Sequence, residues 1–138
     1  GRVFLYVLSR TGNGTASQPL LDKVAASVND DEIRPLTDFV SVRAADIIPY
    51  DVVADIQIPY GLDGELVMNN ARQALQTYTD SVHRIGSVAS CSGMDGALHQ
   101  TGVITVVLKS PASDIVPVMG QAPWCRSVTL NKLETTDE

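Results

Sequence analysis

The side chains that could carry out chemistry are few and scattered along this chain. Its two histidines, His83 and His99, lack the His-x-x-x-His or Glu-x-x-His spacing that places two metal ligands on one helix face. Cys91 and His99 could meet as a nucleophile and its base, but no activating motif surrounds Cys91. The acidic residues 30–32 lack the Asp-x-Asp-x-Asp-Gly spacing of a calcium loop, and such a charge run is usually solvated. The sequence therefore predicts no catalytic residue, no metal site and no enzymatic activity.

A glycine-containing loop offers one candidate binding site. Gly12 and Gly14 precede a helix start at Ser17, where free N–H groups and the helix dipole could attract a phosphate. The third glycine of a dinucleotide fingerprint and the lysine of a P-loop are both missing. We therefore expect a structural turn and no cofactor. A small anion- or nucleotide-binding domain that uses the Gly12–Ser17 loop remains the alternative.

Three further residues attract attention through their type. Cys91 and Cys125 are too few for a disulfide framework and belong to no Cys-x-x-Cys pair, so we expect reduced, partly buried thiols. Trp124 is the only tryptophan and lies in a proline-flanked segment. It could fill the core or anchor an interface, and the sequence favours the core.

Composition excludes several classes of partner. The net charge of −6 and the absence of a basic patch oppose binding to nucleic acid or to anionic lipid surfaces. The longest apolar runs, Val3–Leu8 and Val103–Leu108, fall far short of the ~20 residues that cross a bilayer. We expect a soluble protein with neither a nucleic-acid nor a membrane partner.

The most regular pattern is a polar–apolar alternation between Phe39 and Tyr60, which predicts an extended strand with one buried face. At ~3.3 Å per residue it would span about 65 Å, against a radius of gyration of about 14 Å for a compact domain of this size. It must bend or join two lobes. We place the break at Asp46–Pro49, because a proline cannot donate to a central ladder. The residues predicted to be buried are Val40, Val42, Ala44, Ile48, Tyr50, Val52, Ala54, Ile56, Ile58 and Tyr60.

The remaining elements follow from caps and periodicity. Val3–Leu8 is predicted as a buried strand, and Ser17 caps a helix with an apolar stripe that ends before residues 30–32. After residues 34–38 the first half of the alternating segment can pair with the opening strand, in a direction that the sequence leaves open. Asp63 caps the longest helix, about 65–84. Gly86 ends it, and the last elements are a helix at Ser92–His99 and strands at Val103–Leu108 and Ser127–Leu130.

Together these elements predict an α+β fold of mixed sheets with packed helices, in two small lobes joined by a long bent strand. Residues 1–46 form a β-α-β unit and residues 47–138 form an α+β unit that contains the long helix. The chain begins at a glycine and enters a strand almost at once, so we expect a fragment whose missing N-terminal sequence completes the first unit.

A series of short strings runs along nearly the whole chain: Val7–Arg10, Gly12–Ser17, Val28–Asp30, Arg34–Asp38, Val40–Val42, Ile48–Tyr50, His83–Gly86, Ala97–His99, Gly102–Val103 and Ser110–Val116. In their order and spacing, these strings resemble the C-terminal part of the phage baseplate assembly protein J family. The segment at 90–96 departs from the family, because its two glycines weaken the helix expected there.

The resemblance implies a structural component of the baseplate wedge of a contractile phage tail, or of a prophage-derived tail-like particle. Its implied partners are the other wedge and hub proteins of the tail, with self-association into a ring through the full-length protein. The implied location is the tail baseplate of the virion, assembled in the bacterial host cytoplasm. The family supplies no catalytic residue to transfer.

Overall fold

The computed structural model describes residues 2–29, 39–61 and 63–135. The predicted α+β class with mixed sheets is confirmed: a two-stranded sheet precedes a three-stranded sheet with packed helices. In chain order the elements are β1 (Arg2–Val7), α1 (Gln18–Val28), β2 (Phe39–Ala44), β3 (Asp46–Ile58), α2 (Gly64–Ser81), α3 (Cys91–Leu98), β4 (Thr105–Ser110) and β5 (Gln121–Glu134).

The first three elements form a β-α-β unit in which β1 and β2 pair in parallel, which settles the direction that the sequence left open. Helix α1 starts as predicted, because the Ser17 hydroxyl accepts the Leu20 N–H at 3.3 Å. At its other end the Asn29 side chain bonds both backbone groups of Val40, at 2.9 and 3.1 Å. These two hydrogen bonds fix the end of α1 to the start of β2.

The larger sheet has the order β4-β3-β5. β5 runs parallel to β3 along its whole length, whereas β4 pairs antiparallel only with Val53–Gln57. From Tyr50 to Ile58 every second residue of β3 is buried, as the alternation predicted, because one face of the sheet packs under α2 and α3. Val42, Ala44 and Ile48, which the alternation also predicted to be buried, are only partly buried. The largest fully buried side chains are Ile56, Ile58, Leu75, Met94, Leu98, Val52 and Pro123.

The predicted break at Asp46–Pro49 was misplaced. The chain leaves one sheet for the other at Ala45, and Pro49 lies inside β3, paired with Trp124. Proline is tolerated there because β4 begins to pair only at Val53, so Pro49 has a strand on one side alone.

Four other expectations need correction. The opening strand is not buried, since Val3 and Phe4 are each 43% exposed, and Tyr60 at the far end of the alternation is 58% exposed. The last strand spans 14 residues, including Pro123, whereas the sequence predicted only Ser127–Leu130. β4 is displaced by two residues towards the C-terminus of its predicted bounds. Pro123 is tolerated in β5 because β5 is an edge strand, which needs ladder hydrogen bonds on one side only.

The helices agree with prediction except at their ends. Asp63 caps α2 as expected, but α2 ends at Ser81, and Gly86 lies in the turn that follows. Helix α3 forms despite its two glycines, with Ser90 as its N-cap. The acidic run 30–32 and the segment 34–38 lie outside the described residues.

Candidate protein interface

The structure does not bring together Cys91 and His99, whose pairing the sequence leaves conceivable but does not predict. Cys91 is the first residue of α3 and His99 follows its last, so they lie at opposite ends of a helix about 12 Å long at ~1.5 Å per residue. The Cys91 thiol donates to the Pro111 carbonyl oxygen at 3.5 Å. Burial raises the pKa of this thiol, and Asp114 raises it further. Cys91 is therefore not an activated nucleophile.

His83 has a packing role. Its Nδ1 lies 2.8 Å from the Pro123 carbonyl oxygen. A carbonyl can only accept, so Nδ1 carries the proton in this contact. The opposite ring edge faces Gly14, where an added β-carbon would lie 3.0 Å from Nε2. His83 thus joins the Gly12–Ser17 loop to β5, and glycine at position 14 leaves room for the ring.

The Gly12–Ser17 loop uses its own polar groups. The Thr15 N–H donates to the Asn13 side chain at 2.9 Å, and the Gly14 N–H donates to the Thr11 carbonyl at 3.2 Å. The Ser17 hydroxyl is occupied by its cap. These donors bind groups of the protein, so the geometry of the loop favours the structural turn over the anion-binding alternative.

A cavity of about 550 Å³ lies between this loop, the C-terminal half of α2 and β5. Trp124 lines it and is only half-buried, so it is not the core residue that the sequence favoured. Cys125 also lines it as a free thiol, with its pKa raised by burial and by Asp51. Among the described residues, no group of three or more His, Cys, Asp or Glu side chains could hold a metal ion.

The open face of the larger sheet carries ion pairs that hold its strands together. Asp51 on β3 accepts from Arg126 at 2.7 and 3.1 Å and from the Ser127 hydroxyl at 2.7 Å. Both residues of β5 reach Asp51 because a β-bulge inserts one extra residue there. Asp55 is bonded by Lys109, at 2.9 Å, and by Asn131. Both oxygens of each carboxylate therefore accept hydrogen bonds from side chains of the protein itself.

The most prominent exposed feature is an apolar surface formed by two adjoining loops. Ala89 and Ile115 form an antiparallel bridge and face the core. Their neighbours Val88 and Val116 point the other way, because successive residues of an extended chain alternate. Val88 is 43% exposed and Val116 is 66% exposed.

A tight turn from Val118 to Gln121 presents two more exposed apolar side chains. The Gln121 N–H donates to the Val118 carbonyl at 3.0 Å, and the Gln121 side chain accepts the Val118 N–H at 2.8 Å. Gly120, at φ +81°, supplies the positive φ of a type II turn. Met119 stands at the turn tip, 82% exposed, beside Val118 at 66%. We call Val88, Val116, Val118 and Met119 the loop patch.

Sequence reasoning missed the loop patch, because it predicted no element between the strands at Val103–Leu108 and Ser127–Leu130. The signal was present: Val116, Val118 and Met119 are apolar residues in a loop interrupted by Pro117 and Gly120, where polar residues are usual. The sequence could not show that a tight turn directs these side chains towards solvent.

An α+β fold whose candidate chemical groups bind one another, and whose loops present apolar side chains to solvent, is typical of a structural or interaction module. No family model matches the chain. Over 123 residues it is 37% identical to baseplate protein J of Escherichia phage P2, covering 89% of this chain and 41% of that relative. The match confirms the resemblance to the baseplate protein J family, and this chain spans less than half the length of that relative. No helix among the described residues is long and apolar enough to cross a membrane.

Proposed function

We propose that this chain is part of a structural protein of a contractile phage tail, or of a tail-like particle, and acts in the baseplate wedge through protein–protein contacts. The relative's name supports a baseplate role. The loop patch is the observation on this molecule that carries the proposal, because several exposed apolar side chains on two adjoining loops are typical of an interaction surface.

The geometry of the loop patch suits a docking surface. Its turn is closed by a backbone hydrogen bond and braced by the Gln121 side chain, so little backbone conformational freedom remains to be lost on binding. Met119 is unbranched and adapts to irregular partner surfaces. Burial of these side chains removes apolar area from water at about 25 cal/mol per Å².

The partners we propose are other wedge and hub proteins of the tail, with ring self-association through the full-length protein. The proposed location is the virion baseplate, assembled in the host cytoplasm. Catalysis and a cofactor have no place in this proposal. Metal analysis of the purified protein checks that point: a stoichiometric ion that is lost on His83→Ala or His99→Ala would contradict it.

The test of the assembly role uses the full-length protein with Val118→Asp and Met119→Asp. Both side chains are exposed, so we expect an unchanged melting temperature together with failure to enter baseplates in a tail-assembly complementation assay. The matched control is Leu66→Asp, at a position 58% exposed in the first turn of α2, where the helix dipole accepts a carboxylate. Normal tails from the Val118/Met119 variant would overturn the role of the loop patch.

A further inference from the structure

The sheet formed by β1 and β2 has only two strands among the described residues, and they are parallel. β1 therefore has a partner on one edge only. Parallel sheets are normally covered on both faces and extend over several strands, because their crossover connections place helices against them. A two-stranded sheet is marginal by itself.

Helix α1 covers only part of one face of this sheet. Val3 and Leu5 of β1 lie on the same face as their register partners Val40 and Val42 of β2. Helix α1 packs chiefly on β2, where Val40 is 4% exposed. On β1, Val3 is 43% exposed and Leu5 is 36% exposed. One helix therefore covers the β2 half of this face and leaves the β1 half open.

The opposite face of β1 is open at Phe4, whereas Tyr6 on the same face lies against Gly120. Phe4 is 43% exposed, and the Arg43 guanidinium lies over its ring, 4.3 Å from the ring centroid. Three consecutive apolar residues of one strand are thus exposed across both faces. A strand at the edge of a completed sheet would alternate between apolar and polar residues instead.

We propose that the outer edge of β1 pairs with a further strand of the same polypeptide in its full-length form, and that the crossover leading to that strand covers Val3 and Leu5. The free N–H and C=O groups of β1 fit an extended backbone, and the exposed side chains fit an apolar one. The same polypeptide is the favoured source, because neighbouring parallel strands are joined by crossovers within one chain. The relative is more than twice as long as this chain, which leaves room for such a segment.

A thiol-labelling experiment tests this inference without any tail particle, so its outcome is separate from that of the baseplate proposal. Val3→Cys is introduced into this chain and into the full-length protein, and maleimide labelling at that site is followed by peptide mass spectrometry. We expect labelling at least tenfold slower in the full-length monomer. Leu66→Cys is the control at a comparably exposed site on α2 and should label at the same rate in both proteins.

A second measurement avoids any substitution. Amide hydrogen exchange along 3–6 should be faster in this chain than in the full-length monomer, because the added strand would protect the outward N–H groups. Equal labelling and equal exchange in the two proteins would overturn the proposal. Protection that arises only when other tail proteins are added would overturn it too, by assigning the edge to a partner subunit.

Discussion

The Tyr78 hydroxyl accepts the backbone N–H of Ser90 at 2.9 Å and lies 3.1 Å from the Ser90 hydroxyl. Ser90 is the N-cap of α3, so this contact fixes the start of α3 against α2. Tyr78→Phe would leave the half-buried Ser90 N–H without that acceptor. We expect a loss of about 1–2 kcal/mol in the free energy of unfolding, measured by chemical denaturation. Tyr60→Phe, at a 58% exposed ring, should change it by less than about 0.5 kcal/mol.

The two glycines of α3 should respond in opposite ways to alanine. A β-carbon at Gly93 would collide with the Tyr78 ring and hydroxyl, whereas one at Gly96 would meet nothing within 4 Å. Alanine gains up to about 1 kcal/mol of intrinsic helix propensity at either site. At position 93 overpacking opposes that gain by about 1–3 kcal/mol. Gly96→Ala should therefore raise the melting temperature and Gly93→Ala should lower it, and equal shifts would contradict the assigned contact.

The two faces of β3 give a third prediction. Ile56 is fully buried, and an aspartate there would be an unpaired charge in the core. Ile56→Asp should cost several kcal/mol, on the order of 3–5, in urea denaturation. Asp55→Asn removes one charge from an ion pair whose lysine is 55% exposed, so only a small fraction of that loss is expected. Comparable losses would mean that the faces of the strand are assigned wrongly.

How much of this fold the sequence predicts depends on whether the information is local. The caps Ser17 and Asp63 and the alternation along β3 are local patterns, and all three are confirmed. The position of Pro49 inside a strand was not predictable, because it depends on where β4 starts to pair. The same holds for Gly93, which reads as a helix breaker until Tyr78 of another helix is found against it.

The candidate site was less predictable than the fold. Exposure of Val116, Val118 and Met119 depends on a turn whose bracing bond comes from the Gln121 side chain. The division into units 1–46 and 47–138 remains a prediction, although the change of sheet at Ala45 is consistent with it. Contacts between distant segments, such as Gly14 with His83, decide which glycines are packing positions and which are merely turns.

The last prediction concerns the stability of the folded chain at low pH. Arg126 first, and then Ser127, bond Asp51 and lower its pKa from 3.8 to about 2. A carboxyl group whose pKa is lower in the folded state contributes stability above its unfolded pKa and loses it as the pH falls through the folded value. The stability difference between the wild-type chain and Arg126→Met should therefore be full at about pH 6 and shrink between about pH 4 and pH 2.

Denaturant unfolding of both proteins across that range measures this difference. The double variant Asp51→Asn/Arg126→Met is the control, because without the Asp51 carboxylate the remaining acid sensitivity is common to all three proteins and cancels. Asp55, whose pKa is also lowered, is present in each of them. A stability difference between wild type and Arg126→Met that stays constant from pH 6 to pH 2 would show that the ion pair across the bulge does not hold β5 to β3 in solution.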